Sequence, residues 1–259
     1  MVALRKPGTL RSIGITLMVL LAWEGLVRTG IINPIILASP SAIVKAAVAD
    51  GLQFLHAFRI TATSIAFAVV ASWSLGVGIG LLVGASRFSY AAFSPVLSSL
   101  FAIPLIVWYP MLVVWAGIGM ESKVLFGVIS SVFPIALNTA AGVHQIDARY
   151  ALFGQSVGAG RSTIQFQILF PLALPSIVSG LRIGTALAVS GVIVGEMLAS
   201  TDGVGFWISY HRTIFNTGHV YLGMLLAVGC VLLVNGLLAG LEHRLGRWRQ
   251  DERDRAPPG

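Results

Sequence analysis

Charge is what this sequence has least of. Only 10% of its 259 residues are Asp, Glu, Lys or Arg, against 56% hydrophobic, where a soluble domain carries about 25% charged residues. The shortfall is spread along the chain, which excludes an ordinary water-facing domain. Cysteine is reduced to Cys230, so there is no intrachain disulfide and no thiol-rich metal site; a small apolar residue facing lipid or protein is expected there. His56, His144, His211, His219 and His243 are scattered over different loops and ends without metal-ligand spacing, and lone loop histidines are expected to be solvated. No nucleophile–base pair or paired carboxylates share a segment. Neither an enzyme, a metal nor a cofactor is expected. The Walker A pattern (Gly, four residues, Gly-Lys-Ser/Thr) is missing too.

What the chain does have is apolar runs. About 20 apolar residues cross roughly 30 Å of hydrocarbon, and six stretches qualify, at about 12–29, 59–84, 93–117, 124–143, 174–199 and 219–242. The expected class is therefore an all-α membrane protein, one domain over 1–259, with a core at about 55–245 and a polar tail at 246–259. The net charge of +7 comes largely from basic residues flanking the first and last runs, which is the pattern of membrane orientation rather than a continuous nucleic-acid face. With the N-terminus inside, the inner segments hold Arg5, Lys6, Arg11, Arg87, Arg149, Arg161, Arg244, Arg247, Arg249, Arg253 and Arg255. The outer ones hold Arg28, Lys45, Lys123 and Arg212. Both termini are expected to be cytoplasmic.

Three further features are legible. Ser39-Pro40-Ser41 opens a short helical pattern on the outer side. Gly76, Gly80 and Gly84 share one helix face, as do Gly180 with Gly184 and Gly191 with Gly195; such faces let helix backbones approach closely in lipid. The inner stretch from Asp147 to Pro175 is too long for a plain connector, since compact helix links take roughly 2–8 residues. It reads as a helix ending near Gly158, a break at Gly160, and a second helix from Ser162 that Pro171 and Pro175 bend back into the bilayer.

That stretch resembles the cytoplasmic motif of binding-protein-dependent ABC importer permeases: Glu-Ala-Ala, three residues, Gly, nine residues, Ile-x-Leu-Pro. Gly158, Ile168 and Pro171 fall at that spacing, with Phe170 in place of Leu; the triplet is Leu152-Phe153-Gly154, a full departure. Around it, Ala102-Ile103-Pro104 to Trp115-Ala116-Gly117-Ile118-Gly119 is similar to the nitrate/sulfonate/taurine branch. So are Phe133-Pro134 with Leu137-Asn138-Thr139, Ser179-Gly180-Leu181-Arg182, and Gly195-Glu196-Met197-Leu198-Ala199-Ser200. The likeness runs over about 35–245.

The resemblance implies a six-helix type I importer permease with a cytoplasmic coupling helix, in the bacterial inner membrane. Its implied partners are a second permease (a homodimer or a paired subunit), two cytoplasmic ATPase subunits, an external solute-binding protein and lipid, with no nucleic acid. The coupling residues would be Leu152, Phe153, Gly154, Gly158, Ile168 and Pro171. The implied solute is a small sulfonate, nitrate or similar anion; a thiamine precursor or riboflavin on the same fold is the alternative, and an ion-coupled secondary transporter the alternative class. Intramembrane polar groups mark candidate pathways, which puts Trp108, Tyr109, Asn138 and Glu196 on the translocation path. Glu24 reads as a structural pair, and Ser130 and Ser131 as bonded to their own helix.

Overall fold

A computed structural model describes residues 8–253; Arg5, Lys6 and positions 254–259 of the expected tail lie outside the described residues. Those residues are helical, with no strand among them. Helix α1 (Gly8–Arg28) leads through a loop to α2 (Pro40–Ala49), where Ser39 accepts a hydrogen bond from the Ala42 amide at 3.2 Å and Pro40 occupies the first turn. Both are favoured at helix starts, because the first amides have no intrahelical partner. Then follow α3 (Gly51–Gly84), α4 (Arg87–Ala102) and α5 (Tyr109–Ala116). The chain continues through α6 (Met120–His144), α7 (Ala148–Ser156), the short α8 (Arg161–Thr163), α9 (Phe170–Leu198), α10 (Val204–Thr213) and α11 (Thr217–Arg253).

Among the described residues α3, α6, α9 with its leading turn, and α11 are long and apolar enough to cross a bilayer. The third expected span is not one rod. It starts earlier, at Arg87, and breaks after Ala102 into two pieces inclined by 76°, joined by a tight 3₁₀ turn at Leu105–Trp108. Pro104 explains the break: it has no amide to give the preceding turn and pushes Ile103 to extended backbone (ψ 130°). Counted as one broken span, the bent pair makes a fifth. Helix α1, with 21 residues, coincides with the first expected span. The last helix also runs further than the expected span, to Arg253, so much of the expected tail is helical.

Helix α6 is the axis of the bundle, clasped between α3 and α9. The small-residue faces explain how. A Cβ at Gly76 would stand 2.7 Å from the Ile135 side chain, and one at Gly84 2.8 Å from the Ala140 carbonyl; on the other side Gly184 faces Ile135 and Gly191 faces the backbone of Gly127. Two buried hydroxyls stay within their own helix: Ser130 donates to the Phe126 carbonyl and Ser131 to that of Gly127, each at 2.7 Å. Trp73 Nε1 ties α3 to Thr185 of α9 at 2.9 Å. Cys230 is buried in the apolar cluster of Val128, Val189 and Val192, facing protein. Gly184→Leu is expected to force α9 off α6 and cost about 1–3 kcal/mol or more, read as a lowered unfolding midpoint in detergent. Gly78→Leu, which meets open space, should leave the midpoint unchanged.

Candidate functional site

The stretch between α6 and α9 folds as a small projecting unit. Asp147 caps α7, accepting from the Arg149 amide at 2.9 Å and pairing with the Arg149 guanidinium at 2.7 Å. These bonds hold its carboxyl below the usual range, so the cap is complete at neutral pH and is lost only as pH falls through that lowered value. At the other end Gly158 has φ +76°, its amide donating to Gln155 and the Ala159 amide to Gly154, both at 3.0 Å. This paired closure around a left-handed residue is the Schellman motif, and glycine is the residue that fits it at least cost. The buried Gly154 lets α7 lie on the following turn, since a Cβ there would stand 2.8 Å from Ile164 and 3.0 Å from Ile168. That turn, Ile164–Leu169, is π-helical and runs directly into α9, with Pro171 in the first turn and Pro175 inside the helix.

Two faces result. Gly154 and Ile168 pack inward, whereas Leu152 and Phe153 are 60% and 66% exposed, with Tyr150 and Val157 beside them also exposed. An apolar strip of this kind on a helix outside the membrane spans marks a contact surface.

At the far end of α9 a polar knot closes the opposite side of the bundle. Glu196 is fully buried; its carboxylate accepts from Thr61 Oγ1 at 2.8 and 2.9 Å and from the Gly205 amide at 2.9 Å. Thr61 Oγ1 in turn accepts from the Val204 amide at 2.8 Å. A carboxylate of α9 and a hydroxyl of α3 thus satisfy the first amides of α10, where a helix favours negative charge. Gly203, at φ +102°, makes the turn that brings them together.

Residues 76–249 match the family of binding-protein-dependent transport system inner membrane components. The chain belongs to this family. Among relatives, it is 29% identical over 245 residues to the taurine transport system permease protein TauC of Escherichia coli K12, covering 92% of this chain and 89% of that protein. It is 30% identical over 238 residues to the formylaminopyrimidine transport permease protein ThiX of Halalkalibacterium halodurans, covering 91% and 94%. Its fold is that of a chain of the inward-facing MetNI methionine ABC transporter, with TM-score 0.65 and 18% identity over 74% of this chain and 95% of that one. The protein is therefore an ABC importer permease of the type I fold, a multi-pass inner membrane component.

In this permease the four path candidates do not form one cluster. Tyr109 is buried, its hydroxyl donating to the Gly195 carbonyl at 2.6 Å and its ring edge-on to Phe126. It lies beside Glu196, and together they close the end of α9 far from α7. Asn138 lies at the other end of the α6–α9 contact, its Cβ against Gly180 and its amide donating to the Pro134 carbonyl at 2.8 Å. Fifteen residues of α9 separate the two places, about 22 Å along a helix. Trp108 is 45% exposed. Of the four, Glu196 and Tyr109 have their polar atoms committed to the protein's own backbone and to Thr61. Glu24, the suspected structural pair, accepts from the Ser41 hydroxyl at 2.7 Å and pairs with Arg28, tying α1 to α2.

Two buried groups differ from what the sequence suggests. Lys123 is buried, with Nζ donating to the Ile118 carbonyl at 2.7 Å, rather than a free outer charge. His211 is buried and stacks on His219, so these two are neither scattered nor solvated. Residues 211 and 219 flank the α10–α11 turn, and that spacing was the available signal.

Proposed function

We propose that this permease forms, with a second copy or a paired permease, the path through which an ATP-driven importer takes up a small sulfonate, nitrate or similar anion. A solute-binding protein delivers the solute on the α10 side, and two cytoplasmic ATPase subunits hold α7. The observation that carries this reading is the projecting α7 unit, built around Gly158 and offering an apolar strip to a partner, in a chain whose family transports by way of a binding protein. Leu152 and Phe153 seat in the ATPase; Gly154, Gly158, Ile168 and Pro171 hold α7 at the angle that carries ATPase closure into α9. Alternating access then follows from nucleotide biasing two states. The charge asymmetry of the loops supports cytoplasmic termini. The uncovered flanks of α4, of α5 and of the turn between them, with Phe88, Val107, Val114 and Trp115 strongly exposed, supply apolar area for lipid and for the second permease. One permease domain spans the chain, with its core at about 55–245 and a polar C-terminal end from 246.

The taurine relative favours the anion; the formylaminopyrimidine relative favours the second reading, a thiamine precursor on the same fold. Calorimetric binding to the partner solute-binding protein separates them. Binding of taurine or nitrate supports the first, whereas tight binding of formylaminopyrimidine with no anion binding overturns it.

Leu152 and Phe153 stand where the family motif has an acidic residue and an alanine, so the seat is apolar. Burying a Phe side chain contributes about 1.5–3 kcal/mol, and apolar contact is not screened by salt as an ion pair is. Affinity for the ATPase is therefore expected to hold between low and high NaCl and to fall roughly tenfold or more in Phe153→Glu. A steep loss with salt in the parent would count against an apolar seat.

A further inference from the structure

At the end of the bundle opposite α7, five aromatic or charged side chains from the α2–α3 region, α10 and α11 meet in a place the transport reading leaves unused. Asp50 sits at the joint of α2 and α3, and its Oδ2 lies 2.7 Å from His219 Nε2 at the start of α11. The His219 ring stacks on that of His211 from α10, centroids 4.4 Å apart and planes 13° from parallel. Trp207, one turn earlier on α10, lies 4.5 Å from His211 and packs edge-on against Phe54 of α3 at 5.5 Å. His211 and Trp207 are each more than nine-tenths buried. His211 Nδ1, His219 Nδ1 and Trp207 Nε1 are buried without a hydrogen-bond partner, so the site has polar capacity its neighbours do not satisfy.

We propose that Asp50, His219 and His211 form a proton-operated clasp that holds α10 against α11 and the α2–α3 joint. Asp50 bonds His219, whereas His211 meets the face of the His219 ring. Charging both rings would set two imidazolium ions face to face with a single carboxylate beside them. The charges acting on His211 are those of His219, from α11, and Asp50, from the joint. From its own helix comes the Tyr210 ring, edge-on at 5.2 Å. Glu196 of α9 is engaged at the other end of α10, by Gly205, about 9 Å along the axis. Burial first, and His219 second, lower the affinity of His211 for a proton below that of an ordinary imidazole, near 6.5. A group depressed in this way favours the closed form above its ordinary pKa, and that preference is lost as pH falls. The clasp is thus closed at neutral pH and opens in acid, when His211 charges.

The consequence reaches the Glu196 knot, because the first turn of α10 is the one that Glu196 and Thr61 hold. Loosening the helix at His211 frees its far end while the knot keeps its near end. The helix swings about residues 203–205.

Hydrogen exchange on the full chain in nanodiscs, at pH 7.5 and pH 5 with intrinsic rates corrected for pH, tests this directly. Amides 206–213 should gain protection losses of roughly tenfold relative to those of α6, one pH unit in a titration being tenfold. His211→Phe keeps the ring stack and removes the second proton, and should abolish the acid effect. His219→Gln keeps a donor to Asp50 while removing the facing charge, and should move the opening to lower pH. Acid opening of the same size in His211→Phe, or no opening in the parent, would overturn the clasp. Neither result bears on whether the chain is an importer permease, so the two readings fail separately.

Discussion

Gly158→Leu is expected to insert and fold normally yet lower ATP-driven uptake about 5- to 30-fold. Gly158 has φ +76° and open space around the missing side chain. Nothing clashes, so the bundle is untouched; what changes is the backbone. Holding an L-residue in the left-handed region costs roughly 1–2 kcal/mol. That cost falls on the Schellman closure that aims α7, and 1–2 kcal/mol is a factor of about 5–30 in population. Gly158→Asn, which tolerates this region better than other residues, should keep most of the uptake. Equal uptake by the parent and the Leu variant would show that the shape of α7 does not limit transport.

Thr61→Val is expected to be among the most damaging single-atom-scale changes outside that loop. It removes the donor to a buried carboxylate and, at the same stroke, the acceptor of the Val204 amide. Thr61 is uncharged, so the loss is a hydrogen bond to a buried carboxyl group, about 1.5–3 kcal/mol, and the stranded Val204 amide adds about 1–3 kcal/mol. At roughly 2–4 °C per kcal/mol for a chain of this size, the unfolding midpoint should fall by about 5 °C or more. Thr61→Ser keeps the oxygen and should stay within about 1 kcal/mol of the parent, losing mainly a methyl group. If Ser and Val fall together, the knot contributes packing rather than hydrogen bonding.

The spans were legible because lipid forces long apolar runs, and the packing faces because only small residues allow the α3–α6 and α6–α9 approach. Gly158, Ile168 and Pro171 were legible as a spacing, and the structure adds why each is there: a left-handed cap, a side chain over Gly154, and a proline in the first turn of α9. The break at Pro104 was less legible, since a proline in an apolar run is compatible with a kink or with two separate helices. What could not be read were contacts between residues far apart in sequence. Thr61 and Glu196 are 135 positions apart, and Asp50 and His219 are 169; no local pattern announces such pairs. Local rules likewise mark a charge such as Glu196 as costly in lipid, but only tertiary structure shows that its partners are the orphan amides of another helix.

The most direct test of the account is a contact between α7 and the ATPase. Cys230 is buried and single, so a Cys230→Ser background carrying Phe153→Cys presents one reactive thiol on the exposed strip. Co-expressed with its ATPase and treated with a short thiol-to-amine cross-linker, it is predicted to give a permease–ATPase adduct, and the same background without Phe153→Cys none. An importer that assembles and hydrolyses ATP but yields no adduct from position 153 would contradict the claim that α7 is where the permease takes up its energy.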